Sequence, residues 1–197
     1  MSKLEIHGVA ASRAARNLWM AQELGLEFDH KEIGTGDTRT EDFLAINPNG
    51  RIPAIRDGEL HLCESMAINL YLARKHNKLL PATVEDEGRM YMWSFWAVTE
   101  LEDDLLTYMF HNRMLPDEAR DSALAEKAEK GLQAPLAVLD AHLEGRDWMV
   151  GDAFTVADLN VASIMLWAKF GKLDLSKFEN VVRWLGACLS RPAAKLG

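Results

Sequence analysis

Cysteine is scarce in this chain. Cys63 and Cys188 are the only two, and they stand far apart. Such a pair makes neither a disulfide framework nor a thiolate metal cluster, and both read as small buried apolar residues. The six histidines (His7, His30, His61, His76, His111 and His142) show no metal-ligand spacing, and there is no Walker loop or dinucleotide fingerprint. No metal and no nucleotide cofactor is expected. Positive charge is also short: 22 Lys and Arg against 30 Asp and Glu leave a net charge of −8. That balance argues against a nucleic-acid or anionic-membrane surface. No apolar run is long enough to span a bilayer, and the stretch Met1-Ser2-Lys3-Leu4-Glu5 lacks the apolar core of a secretory signal. The expectation is a soluble, cytoplasmic protein. Tyrosine is rare too, with only Tyr71, Tyr91 and Tyr108.

The length of 197 residues suits one large domain or two modest ones. The first third alternates strand and helix signals. Leu4 to His7 has strand periodicity, a helical run from Ser12 stops at Gly25, and Glu27 to Ile33 is a weaker strand. Glu41 to Ile46 is a short helix ended by Asn47-Pro48. Ile52 to Ile55 and Leu60 to Cys63 flank Asp57-Gly58, a two-residue hairpin signal, and Ser65 to Lys75 is helical. After Leu79-Leu80-Pro81-Ala82 no convincing strand remains. Thr83 with Asp86 starts a helix that runs to about Arg113, with apolar residues on two faces: Trp93, Trp96, Leu101, Leu105 and Tyr108, and also Phe95, Val98 and Met109. Packing on both sides is expected there. Glu118 to Leu143 is helical with a kink or restart at Pro135, and Ala157 to Ala168 and Phe178 to Leu189 follow. The expected fold is a β-α-β-α-β-β-α domain over residues 1–77, a linker over 78–84 and an all-α domain over 85–197.

The most informative stretch is Asn47-Pro48-Asn49-Gly50-Arg51-Ile52-Pro53-Ala54-Ile55, followed by Cys63-Glu64-Ser65-Met66-Ala67-Ile68. A proline in what otherwise reads as a buried strand removes a ladder donor and belongs at an edge or a special bend. Glu64-Ser65 then opens a run with helical spacing. The pair predicts extended backbone with free pairing groups beside a helix N-terminus that attracts a carboxylate. A small peptide with a free acid end fits both.

Ser12-Arg13-Ala14-Ala15-Arg16, the Asn47 to Pro53 segment, Glu64-Ser65-Met66-Ala67-Ile68 and Phe154-Thr155-Val156-Ala157-Asp158, in this order, resemble the cytosolic glutathione S-transferase family. The resemblance spans almost the whole chain. It implies a thioredoxin-like N-terminal domain, a helical C-terminal domain and a homodimer. Glutathione is the implied co-substrate, and a small hydrophobic electrophile binds between the domains. The first-helix motif looks most like the serine-type members, such as the theta and delta classes and their bacterial relatives.

The resemblance also implies the site. The bond before Pro53 is cis, and the N–H and C=O of Ile52 pair with the cysteinyl unit of glutathione, a one-residue case of strand addition. Ser65 caps the helix and receives the γ-glutamyl carboxylate, and Glu64 takes the ammonium. Arg51 reaches the glycyl carboxylate, and Thr38 and Arg39 lie where another carboxylate contact falls. Ser12 is the catalytic residue. A thiol ionises near a reference pKa of ~8.5, and each unit of lowering needs ~1.4 kcal/mol of preference for the anion. A hydroxyl donor at a helix N-terminus supplies that on the scale of one to two units. Ser12 is also an ordinary cap for this helix, and Arg16 reads as structural. The loop Val9-Ala10-Ala11 and the helix residues Glu102, Leu105, Tyr108 and Met109 line the co-substrate pocket, although a core role suits most of the helix residues. Trp167 and Phe170 are further candidates.

The first-helix motif has no cysteine, which disfavours thiol-exchange chemistry, and no tyrosine precedes that helix. The chain ends soon after Arg191-Pro192, so no long tail closes the pocket and an open pocket is expected. The leading function is a glutathione transferase performing conjugation, dehalogenation or peroxide reduction. A non-catalytic glutathione carrier or regulatory subunit and a scaffold with a vestigial site are the alternatives. Thr155-Val156-Ala157-Asp158 is a capping box with no assigned chemistry. As a cap, Asp158 is worth ~0.5–2 kcal/mol.

Overall fold

The computed structural model describes residues 3–195, so Met1 and Ser2 of the expected signal-free N-terminus lie outside the described residues, as do the last two. The chain forms two compact units. One comprises the chain up to Leu80 together with the segment from Arg191 onward, and the other is Pro81–Ser190.

In the first unit the order is β1 (Leu4–His7), α1 (Ala14–Leu24), β2 (Phe28–Lys31), α2 (Glu41–Ile46), β3 (Ala54–Asp57), β4 (Leu60–Cys63) and α3 (Ser65–His76). The sheet runs β2-β1-β3-β4. β1 and β2 are parallel, with Leu4 opposite Phe28, while β3 is antiparallel to both β1 and β4. The parallel pair needs a crossover, which α1 supplies. Ile6, Ile55, Trp19, Met20, Ile68 and Leu72 are almost wholly buried and form the core of this unit.

Two local expectations shift. β3 begins at Ala54 rather than Ile52, because residues 47–51 fold into a turn and Pro53 has no N–H for the ladder. The hairpin turn falls one residue late. Asp57 pairs with Leu60, so Gly58-Glu59 make the turn, and Gly58 has φ 65°. Asp57 is held in the strand because its carboxylate accepts from Tyr71 Oη (2.8 Å) and from Lys75 Nζ on α3.

The segment that rejoins the first unit is fastened by a buried carboxylate. Arg191 Nε and Nη2 donate to the two oxygens of Glu23 at 2.7 Å each, and Trp19 Nε1 donates to the same carboxylate at 3.0 Å. Burial disfavours the charge on Glu23, but these donors hold its carboxyl below the usual range. The expected linker of 78–84 thus straddles the division between Leu80 and Pro81, and Arg191 leaves the helical region for the first unit.

The second unit is all helical: α4 (Val84–Ala97), α5 (Asp103–Met109), α6 (Ser122–His142), α7 (Val156–Gly171) and α8 (Glu179–Ser190). Thr83 Oγ1 caps α4 by accepting from Asp86 N. One π turn (Val98–Glu102) joins α4 to α5 and another (Phe110–Met114) ends α5, so the expected helix to Arg113 is helical backbone with two one-turn insertions. Its two apolar faces are not both packed. Trp93, Leu101, Leu105, Tyr108 and Met109 are buried, whereas Phe95 is 60% exposed and Val98 is open with Tyr91 and Met92. α6 starts at Ser122, where Asp121 accepts from Ala123 N and Leu124 N, and Glu118 sits in a separate short turn. The helix continues through Pro135 without a restart. Losing one backbone bond there costs about 3 kcal/mol, and the complete burial of Leu132, Leu136 and Leu139 at about 1.5–3 kcal/mol each outweighs it. α8 is capped from another helix: Asp140 of α6 accepts from Asn180 N and Val181 N.

Two histidines, His7 buried and His142 half-buried, make stability pH-dependent. The His142 ring lies 4.3 Å from the Trp93 ring, centroid to centroid, and its Nε2–H donates to Met149 O at 2.8 Å. Burial lowers the pKa of His142 and of His7. Below the ordinary histidine value of 6.5 the unfolded chain then binds more protons than the folded one, so acid favours unfolding. The melting temperature is expected to fall between pH 7.5 and pH 5.5, and His142→Gln to flatten that slope. A profile unchanged by the substitution contradicts this assignment.

Candidate functional site

The Ile52–Pro53 peptide bond is cis, Pro53 is buried and Ile52 is half-buried. Among the described residues, neither the N–H nor the C=O of Ile52 has a backbone partner. The turn before it is built by Asn47, a buried residue whose sequence role is to end α2 with Pro48 and open the motif. Its Oδ1 accepts from Asn49 N at 3.1 Å, and its Nδ2 donates to Arg51 O at 2.6 Å. The signal was present as the Asn-Pro-Asn-Gly run, whose first side chain mimics a backbone turn.

Gly50 closes that turn with φ 60°. A β-carbon there would come within 2.7 Å of Arg39 Nη1 and 3.0 Å of Thr38 O. The positive φ favours glycine there, and its missing β-carbon leaves room for the Arg39 guanidinium. Arg39 lies against Gly50, the residue before Arg51, and both arginines are exposed, while Thr38 is buried and donates to Thr35 O.

Ser65 is the first residue of α3, not its cap. The cap position is Glu64, at φ 68° and ψ 108°, and it makes no side-chain capping bond. A non-glycine residue with positive φ is uncommon, and such residues cluster where ligands bind. The reason Ser65 does not cap lies beneath it. Its hydroxyl oxygen accepts from Arg16 Nη1 at 3.2 Å, and Asn17 Nδ2 donates to its carbonyl at 2.9 Å. The Ser65 N–H has no backbone partner among the described residues, as befits the first turn of a helix. Glu64 is exposed beside it.

Ser12 lies in the turn ahead of α1, which starts at Ala14 rather than Ser12. Its Oγ donates to Val9 O at 2.7 Å and accepts from Ala14 N at 3.1 Å. The hydroxyl thus satisfies a helix N–H, and its proton rests on a loop carbonyl. Ser12 and Val9 are half-exposed, and Ala11 is exposed.

Candidates in the second unit sit differently. Leu105 is wholly buried and Met109 nearly so. Tyr108 accepts from Asn112 Nδ2 at 3.3 Å, and that amide also donates to Gly171 O. Burial pushes the Tyr108 phenol up. Core packing explains all three. Glu102 is 4% exposed in the first π turn. Trp167 is half-buried against Phe170, which is 50% exposed. Among the described residues no group of three or more His, Cys, Asp or Glu is placed to hold a metal ion, and no helix is long and apolar enough to cross a membrane.

Residues 6–74 match the glutathione S-transferase N-terminal domain, and residues 102–192 match the C-terminal domain of the same family. The chain is 34% identical to a glutathione S-transferase of Hyoscyamus muticus, over 96% of this chain and 95% of that protein. It is 35% identical to glutathione S-transferase 3 of Zea mays, over 82% and 77%. A theta class glutathione S-transferase from Xanthomonas axonopodis pv. citri, solved with glutathione bound, superposes with a TM-score of 0.91 over 100% of this chain and 97% of that one, at 27% identity. By family match, relatives and fold alike, this chain belongs to the glutathione S-transferase family.

Proposed function

We propose that this glutathione transferase binds its tripeptide along the first unit and holds the sulfur as thiolate with Ser12. The backbone of Ile52 beside Pro53, which has no backbone partner among the described residues, carries this reading. It pairs antiparallel with the cysteinyl unit. The Ser65 N–H and hydroxyl take the γ-glutamyl carboxylate at the positive end of α3, and Glu64 takes the ammonium. Arg51 and Arg39 take the glycyl carboxylate. The thiol releases its proton to solvent, and Ser12 turns its own hydroxyl hydrogen from Val9 O to the sulfur anion, which lowers the thiol pKa. The sulfur lone pair then forms the bond to an electrophilic carbon. With a small hydrophobic aryl halide, halide leaves with the bonding pair; dehalogenation uses the same thiolate, and peroxide reduction uses it together with a second glutathione, which leaves as the disulfide while the peroxide becomes alcohol and water. Val9 and Ala11, beside Ser12, contact the electrophile. Assignment to the serine-type classes rests on Ser12 and on the theta class likeness. The apolar row Tyr91, Met92, Phe95 and Val98 supports a homodimer, since single-chain surfaces seldom leave such rows open. A cytoplasmic, detoxifying role is part of the same reading.

The test is calorimetric titration with reduced glutathione. Saturable uptake below millimolar is expected, weakened by Ser65→Ala. Absence of uptake by folded protein at millimolar glutathione overturns the proposal. Uptake without turnover across a broad electrophile panel identifies a carrier instead.

A further inference from the structure

Arg16 reads from sequence as structural, yet its guanidinium ends on the residue that carries the γ-glutamyl anchor. It is 2% exposed, and Nη1 donates to Ser65 Oγ at 3.2 Å. Asn17, its neighbour on α1, holds the Ser65 carbonyl at 2.9 Å and the fully buried Asn69 amide oxygen at 2.7 Å. One face of α1 therefore grips the first residue of α3 by both its hydroxyl and its main chain.

Three consequences follow from chemistry. A guanidinium has donors only, so its bond to Ser65 Oγ occupies an acceptor lone pair and leaves the hydroxyl hydrogen for another acceptor. A cation donating to that oxygen polarises the O–H and makes it a stronger donor. The guanidinium is shielded from water behind the first turn of α3, so the Ser65 hydroxyl is held in one orientation by a donor that stays protonated. A neutral hydrogen-bonding residue would supply orientation without the charge.

We propose that Arg16 is a positioning residue for the α-carboxylate of the γ-glutamyl group, acting through Ser65 to set the affinity for glutathione. This rests on the assignment of Ser65 to that carboxylate. It separates two tasks along one helix: Ser12, ahead of α1, serves the sulfur, and Arg16, a turn further on, serves the far end of the tripeptide.

The experiment compares glutathione with 4-aminobutyryl-cysteinylglycine, which lacks only that carboxylate, as ligands of the wild type, Arg16→Met and Arg16→Lys. Dissociation constants come from calorimetry, and kcat and KM for glutathione from turnover of an aryl halide. In Arg16→Met, glutathione is expected to bind about tenfold more weakly, as for a lost charge-assisted hydrogen bond, with KM raised to match and kcat unchanged. The decarboxylated analogue is expected to change less than about twofold, because the group that Arg16 serves is missing from it. Arg16→Lys keeps the cation and is expected to recover most of the affinity. Equal weakening of both ligands overturns the inference and makes Arg16 a packing residue, with Ser65 untouched in its role. A wild type that binds both ligands alike overturns the Ser65 assignment itself. Should Arg16→Met fail to fold, the same comparison is read from Arg16→Lys, where a smaller loss confined to glutathione supports the inference and an equal loss in both ligands overturns it.

Discussion

Asp158→Ala is expected to lower unfolding free energy by about 3–5 kcal/mol, well beyond the loss of a helix cap. Asp158 is wholly buried. One oxygen accepts from Met149 N at 2.7 Å and from Trp184 Nε1 at 2.9 Å; the other accepts from Thr155 N at 2.9 Å and Thr155 Oγ1 at 3.2 Å. Burial pushes its carboxyl up, and these donors pull it back. Removing it strands the Trp184, Met149 and Thr155 N–H groups where water does not reach, at about 1–3 kcal/mol each, offset in part by relief of a buried charge. Asp158→Asn keeps one acceptor oxygen and is expected to fall between the two. Urea denaturation measures both. A loss under about 1 kcal/mol for the alanine variant contradicts the network's importance. Turnover by the folded fraction is expected to stay near that of the wild type, because no residue of the network belongs to the proposed glutathione site.

Ser12→Ala is expected to cut kcat/KM for an aryl halide by about 10–100-fold while leaving glutathione affinity within about threefold. In the proposed mechanism the hydroxyl works on the sulfur anion, and one to two units of thiol pKa correspond to about 1.4–2.8 kcal/mol and hence to that range of thiolate fraction. The glutathione thiol pKa in the complex, followed by thiolate absorbance, is expected to rise by the same one to two units. Loss of the cap to Ala14 N adds a stability cost of about 1 kcal/mol, which a melting curve separates from the kinetic effect. Unchanged turnover leaves Ser12 a cap only, with its proton on Val9 O.

The fold was readable because its signals are local. Gly25 adopts the left-handed conformation that ends α1, Thr155 and Asp158 form the box that starts α7, and the periodicity of Leu4 to His7 marks the first strand. The candidate site was readable in the same way for Ser12, Ile52, Pro53, Glu64 and Ser65, each carried by a short motif. The rest depended on partners from elsewhere. Asp57 moved the hairpin turn because Tyr71 and Lys75 of α3 reach it. Phe95 and Val98 followed a helical pattern, yet among the described residues both remain exposed.

Backbone periodicity and turn residues alone determined which segments are strands and helices, since those preferences act within a few residues. Tertiary structure decided that Ser65 rests on Arg16 instead of capping α3, that Trp184 donates to Asp158, and that Arg191 closes on Glu23. Hydrogen bonds and ion pairs form between whatever groups the folded backbone brings within about 3 Å, and residues up to 168 positions apart meet only after the chain has packed.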